Sequence, residues 1–66
     1  MELNQLEYFV ALAHIKNFTK AAKSLNVSQP ALSRSIGRLE KDLNVKLFAR
    51  DSRKVALTQY GQTFLS

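Results

Sequence analysis

Gln29, Pro30, Ser33 and Arg34 fall together in the stretch 29–34 of this 66-residue chain. Their side chains are an amide that both donates and accepts, an apolar ring, a hydroxyl and a planar guanidinium fork. That set suits the edges of base pairs in a major groove. Gln29 can pair bidentately with adenine or make a single bond elsewhere, and Pro30 offers apolar surface to a thymine methyl. Ser33 reads donor or acceptor, and Arg34 can fork onto guanine. Ser28, Ser35 and Arg38 suit phosphate oxygens, which set register without carrying sequence information. Further along, Arg50, Arg53 and Lys54 suit the flanking backbone or an adjacent narrow minor groove. Arg50 has a second reading, as a structural cation paired with an acid inside the domain.

Other chemistries lack their parts. His14, Tyr8, Tyr60 and scattered acids form no nucleophile–base pair, and no glycine-rich phosphate loop is present, so no catalytic residue, enzyme activity or cofactor is expected. Without cysteine and with a single histidine, a disulfide framework and a zinc finger are excluded. His14, near the end of the first helix, could be a ligand or a switch, but a helix C-terminus favours such a side chain anyway, and that plain reading is preferred.

A helix that presents such side chains needs a mount. Ser28 is a natural N-cap, and Pro30 falls in the first turn, where a missing N–H breaks no intrahelical bond. The core stripe of this helix, residues 29–43, is Leu32, Ile36, Leu39 and Leu43, with Pro30, Arg34, Gly37, Arg38 and Lys41 opposite. Gly37 on that outward side suits either close approach to a phosphate backbone or mere tolerance of a weak helix former. Ahead of it, Thr19 reads as N-cap of a short helix ending near Leu25, with Phe18 folding back as a hydrophobic staple. Ala21 and Ala22 allow a close crossing, and Asn26 suits the left-handed turn between the helices. Residues 18–37 thus read as a helix-turn-helix.

Flanking elements complete a core. Leu3, Leu6, Phe9, Val10 and Ala13, widened by Tyr8 and Leu12, recur at helical spacing and predict a first helix over residues 3–15. Asn44 ends the third helix. Alternation then begins at Val45 and Leu47, runs through Phe48–Arg50, turns at Asp51–Arg53 and returns over Lys54–Leu57. A hairpin this small must pack Leu47, Phe48, Val55 or Leu57 on the helices. Thr58 caps a fourth helix carrying Tyr60 and Phe64 on one face. The fold expected is mainly α: a winged helix-turn-helix with three core helices, a β-hairpin wing and the start of a linker helix.

Bulk properties agree with a polyanion partner. Ten Lys and Arg against five Asp and Glu give a net charge of +5 and a pI near 10. Four of the acids, Glu2, Glu7, Glu40 and Asp42, sit in the first helix or late in the third, whereas Arg34, Arg38, Arg50, Arg53 and Lys54 cluster in the third helix and the wing. No apolar run approaches the roughly 18 residues of a membrane span, and no signal-peptide pattern opens the chain, so a cytoplasmic location without membrane binding is expected.

With these residues placed, the sequence resembles the DNA-binding domain of bacterial LysR-type transcriptional regulators over essentially its whole length. The matching positions are Leu6, Phe9, Val10, Phe18, Thr19, Ala21, Ala22, Leu25, Val27–Ser33, Ile36, Leu39, Glu40, Leu43, Leu47, Phe48, Arg50, Leu57, Thr58 and Gly61. Asn44, Ala49 and Asp51–Ser52 depart from the pattern, at the helix end and the wing. The resemblance implies sequence-specific binding of double-stranded DNA at an inverted-repeat operator. It also implies a longer protein, a homodimer or homotetramer, that meets a small-molecule effector only through a C-terminal domain absent here. Residues 1–58 are then the winged helix-turn-helix and 59–66 the start of the linker helix. The competing reading is a winged-helix module whose basic face docks an acidic protein; a basic amphipathic segment on a membrane is a third.

Overall fold

Four helices and a two-stranded antiparallel hairpin follow in the order α1 (Leu3–Ile15), α2 (Phe18–Leu25), α3 (Gln29–Leu43), β1 (Phe48–Arg50), β2 (Val55–Leu57) and α4 (Gln59–Leu65). The computed structural model describes residues 2–50 and 55–66. The expected turn, Asp51–Arg53, and Lys54, read as the start of the returning strand, lie outside the described residues, and with them the site positions Arg53 and Lys54.

Each helix end has a local cause. Glu2 and Gln5 close a reciprocal capping box on α1. Ser28 and Thr58 accept from the amides of Ala31 and Gly61, as their sequence positions foretold. The start of α2 differs from expectation. Asn17, not Thr19, is its N-cap, accepting from the Lys20 amide at 2.9 Å. Phe18 is therefore the first helical residue and no staple. Asn is at least as good a cap as Thr and stands in the extended conformation a cap needs. At the other ends, Asn26 and Asn44 take the left-handed conformation at φ 60° and 57°. Behind them, Val27 and Val45 bond back to the carbonyls of Ala22 and Glu40, closing Schellman motifs. Lys16 ends α1 in the same left-handed region at φ 58°, with its own amide bonded to the Leu12 carbonyl, a conformation its side chain does not favour and sequence gave no sign of.

The core is Phe9, Leu12, Ala13, Ala21, Ala22, Leu32, Ile36, Leu39, Leu47 and Phe48. Ala21 and Ala22 let α2 lie close to its neighbours, and the three buried apolar residues of α3, Leu32, Ile36 and Leu39, belong to the predicted stripe. Phe9 joins the layers, with ring centroids 5.4 Å from Phe48 and 5.1 Å from Phe64. Aromatic pairs at such angles add about 0.5–1.5 kcal/mol beyond burial.

Helix α1 is rotated from the expected stripe. Gln5, Phe9, Leu12 and Ala13 face inward, whereas Leu3 is 76% and Val10 42% exposed. Apolar residues surround much of this helix, so periodicity alone did not choose the face. Gln5 can be buried because its carbonyl accepts the Glu2 amide at 3.0 Å.

The hairpin is shorter than predicted. Strand pairing runs Phe48↔Leu57, Ala49↔Ala56 and Arg50↔Val55, and residues 45–47 form no strand. Their polar groups are committed elsewhere. The Glu40 carboxylate, buried in α3, accepts the amides of Leu47 and Phe48 at 2.8 and 3.2 Å. The Thr58 amide bonds the Leu47 carbonyl, and its hydroxyl the Lys46 carbonyl. Gly61 packs against this junction so closely that a Cβ would lie 2.2 Å from the Leu47 carbonyl oxygen.

Candidate nucleic-acid interface

The outward side of α3 begins at its N-terminus. Gln29, Pro30, Arg34, Gly37 and Arg38 are exposed, while Leu32, Ile36 and Leu39 behind them are fully buried. A helix of this length spans about 22 Å. Its inner stripe fixes rotation about the axis, and the outer side chains keep their hydrogen-bonding groups for a partner. Ser28 holds the first turn: its oxygen accepts the Ala31 amide at 3.2 Å, which leaves the hydroxyl proton to donate outward.

The structure brings Gln29, Pro30, Ser33 and Arg34 into one patch. Ser35 stands apart. Two residues along a helix is a turn of about 200°, so Ser33 and Ser35 lie on opposite flanks, and both are half-buried. Arg38 shares a shallow depression with Glu2, Gln5, Lys41 and Asp42. Acids beside it dilute the positive field there, whereas Arg34, a turn nearer the N-terminus, lies outside that depression.

Gln29 has a fixed neighbour. The Thr19 hydroxyl of α2 donates to Gln29 Oε1 at 3.1 Å, across the turn of the motif. Thr19 could not do this as a cap. Because Asn17 takes the capping role, the hydroxyl of Thr19, the second residue of α2, is free to reach the next helix.

On the wing, Arg50 ends β1 with its guanidinium 4.7 Å from the centroid of the Phe18 ring. An Arg over an aromatic face is held by the ring quadrupole, about 0.5–1 kcal/mol at an exposed site. The contact ties the root of the wing to the start of α2. It orders the side chain without neutralising it, so the charge remains available to an anion.

Sequence reasoning missed three members of this arrangement. Thr19 and Phe18 were read as helix-start residues, and their partners, Gln29 and Arg50, are 10 and 32 positions away in sequence, beyond any local pattern. Glu40 was counted with the surface acids. A signal for it existed: it follows Ile36 by four residues, on the same flank as the core stripe. Among the described residues no buried side-chain polar atom lacks a partner, and no three His, Cys, Asp or Glu side chains converge as a metal site requires. No described helix is long and apolar enough to cross a membrane.

Comparison with known proteins places the architecture. The model of a family described as bacterial regulatory helix-turn-helix protein, lysR family, matches residues 3–62. The chain is 60% identical over 65 residues to YybE of Bacillus subtilis, an uncharacterized HTH-type transcriptional regulator, covering 98% of this chain and 22% of YybE. It is 55% identical over 65 residues to the Hca operon transcriptional activator HcaR of Escherichia coli, again covering 98% of this chain and 22% of the relative. Its backbone matches a crystal structure of a CbnR DBD–DNA complex with TM-score 0.95 at 48% identity, over 98% of this chain and 75% of that one. A BenM DBD complex with benA site 1 DNA matches with TM-score 0.94 at 48% identity, over 98% of this chain and 73% of that one. The chain thus spans about a fifth of the length of the two regulators.

Proposed function

Since the chain belongs to the lysR family of bacterial regulatory helix-turn-helix proteins, we propose that it binds double-stranded DNA in a sequence-specific way, as the DNA-binding part of a transcription regulator. The observation that carries this reading is α3, whose exposed N-terminal patch Gln29, Pro30, Ser33 and Arg34 stands on a fully buried stripe. In this reading the N-terminal half of α3 enters the major groove. Arg34 forks onto guanine O6 and N7, Pro30 covers a thymine methyl, and Gln29 and Ser33 bond base edges. Ser28, Ser35 and Arg38 meet phosphates. Arg50, steadied by Phe18, meets the flanking backbone or minor groove together with Arg53 and Lys54.

Residues 1–58 act as the winged helix-turn-helix, and 59–66 begin the linker helix of a longer cytoplasmic, non-enzymatic protein. That protein works as a homodimer or homotetramer on an inverted repeat and senses a small effector through a C-terminal domain. Two-fold symmetry of the operator would mirror that of the protein.

Selection of bound sequences from a random duplex pool, followed by titration in salt, tests the reading. Three to five phosphate contacts per domain predict a fall of log K against log salt with slope about −3 to −5. Arg34→Ala should lower operator affinity by about 1–3 kcal/mol and relax the preference at one base pair. A flat salt response, or equal losses on operator and random duplex for Arg34→Ala, would sink it. Binding to an acidic protein with no preference among duplexes would favour the interaction-module reading.

A further inference from the structure

Thr19 faces the first residue of the recognition helix across the turn, and the geometry points to it as the positioning residue that sets what Gln29 reads. The inference rests on the reading of α3 as the base-contacting helix and goes beyond it to the chemistry of one contact. Both side chains are exposed, and their hydrogen bond, 3.1 Å between Thr19 Oγ1 and Gln29 Oε1, is the contact that holds the amide. A glutamine side chain free in water samples many rotamers, and on binding it loses most of that freedom. A partner on the neighbouring helix removes part of that loss before DNA arrives, which is preorganisation.

The bond also sets polarity. A hydroxyl can donate to Oε1, which leaves both hydrogens of the Gln29 Nε2 without a partner within the motif. The amide therefore meets DNA donor first. Its target is an acceptor on a base edge: N7 of a purine, O6 of guanine or O4 of thymine. Cytosine is the discriminating case, because its major-groove edge offers only the N4 donor. Thr19 contributes no base contact in this scheme. It acts through Gln29.

The test compares base preferences from the random duplex pool for the chain and its variants, with thermal unfolding as a control for folding. Gln29→Ala locates the base pair that Gln29 reads. At that pair the parent chain should show a base preference that Gln29→Ala abolishes. Thr19→Val, which keeps the shape and removes the hydroxyl, should weaken that preference about three- to tenfold, the scale of one net hydrogen bond. Preferences elsewhere should be unchanged. Thr19→Ser should restore the preference, and Thr19→Ala is a second hydroxyl-free variant that suits a helix better than Val. If folded Thr19→Val and Thr19→Ala keep the full preference, the inference falls while base reading by Gln29 stands. If Gln29→Ala leaves every position unchanged, Gln29 reads no base and both ideas fail for this residue, with Arg34 still open to its own test.

Discussion

The two ends of α3 are held in opposite ways. At the N-terminal end Ser28 caps the helix from one residue away, and the exposed side chains Pro30 and Arg34 carry no weight in the core. At the C-terminal end Glu40 is buried and grips the amides of Leu47 and Phe48, while Gly61 of α4 lies against the same turn. The first end can change its outward side chains with little effect on folding. The second cannot, because its bonds join three elements at one place. The helix thus separates side chains free to meet a partner at one end from those that anchor it in the fold at the other.

Glu40→Ala should break the comparison most severely. It leaves two buried amides unpaired, a loss of about 2–5 kcal/mol, enough to unfold much of a domain this small. Denaturant titration would measure it, and a loss below about 1 kcal/mol would show that water replaces the carboxylate. Gly61→Ala comes next. Its Cβ must displace the Leu47 carbonyl or Leu57, for about 2–3 kcal/mol of overpacking, seen as a lower midpoint of unfolding. Such a variant should lose DNA affinity only in proportion to the unfolded fraction.

The other glycine sharpens the contrast with the opposite sign. Nothing lies within 4 Å of a Cβ built at Gly37, so Gly37→Ala should stabilise the free domain by about 1 kcal/mol. Measured together with affinity, it separates the two uses considered for this residue. Unchanged binding marks Gly37 as a tolerated weak position, and a loss of binding in a more stable protein marks close approach to the duplex. Smallest of all should be the effect of Arg34→Ala on folding, within about 0.5 kcal/mol, even where its effect on operator binding is large. Stability lost beyond that range would mean that Arg34 supports the fold after all.

Much of this molecule was legible before any tertiary contact was known. The extents of α1, α3 and α4, the end of α2, the caps Ser28 and Thr58, and the left-handed Asn26 and Asn44 follow from interactions spanning a few residues, which a linear string records directly. So does the stripe Leu32, Ile36 and Leu39, and with it the outward placement of Arg34, because helical geometry converts spacing into direction. What only the tertiary structure decided are choices among locally equivalent options. Helix α1 carries apolar residues around much of its circumference, and in the fold Phe9 packs against Phe48 and Phe64 and Leu12 is buried, while Leu3 and Val10 stay exposed. Asn17 and Thr19 were both competent caps; once Asn17 capped α2, Thr19 was left to meet Gln29. Glu40 looked like any surface acid until the chain returned to place two amides beside it, and Arg50, read as a DNA contact or the partner of an acid, gave no sign of the Phe18 ring it stands over. In each case the energy that decides lies between residues distant in sequence, where periodicity and capping rules carry no information.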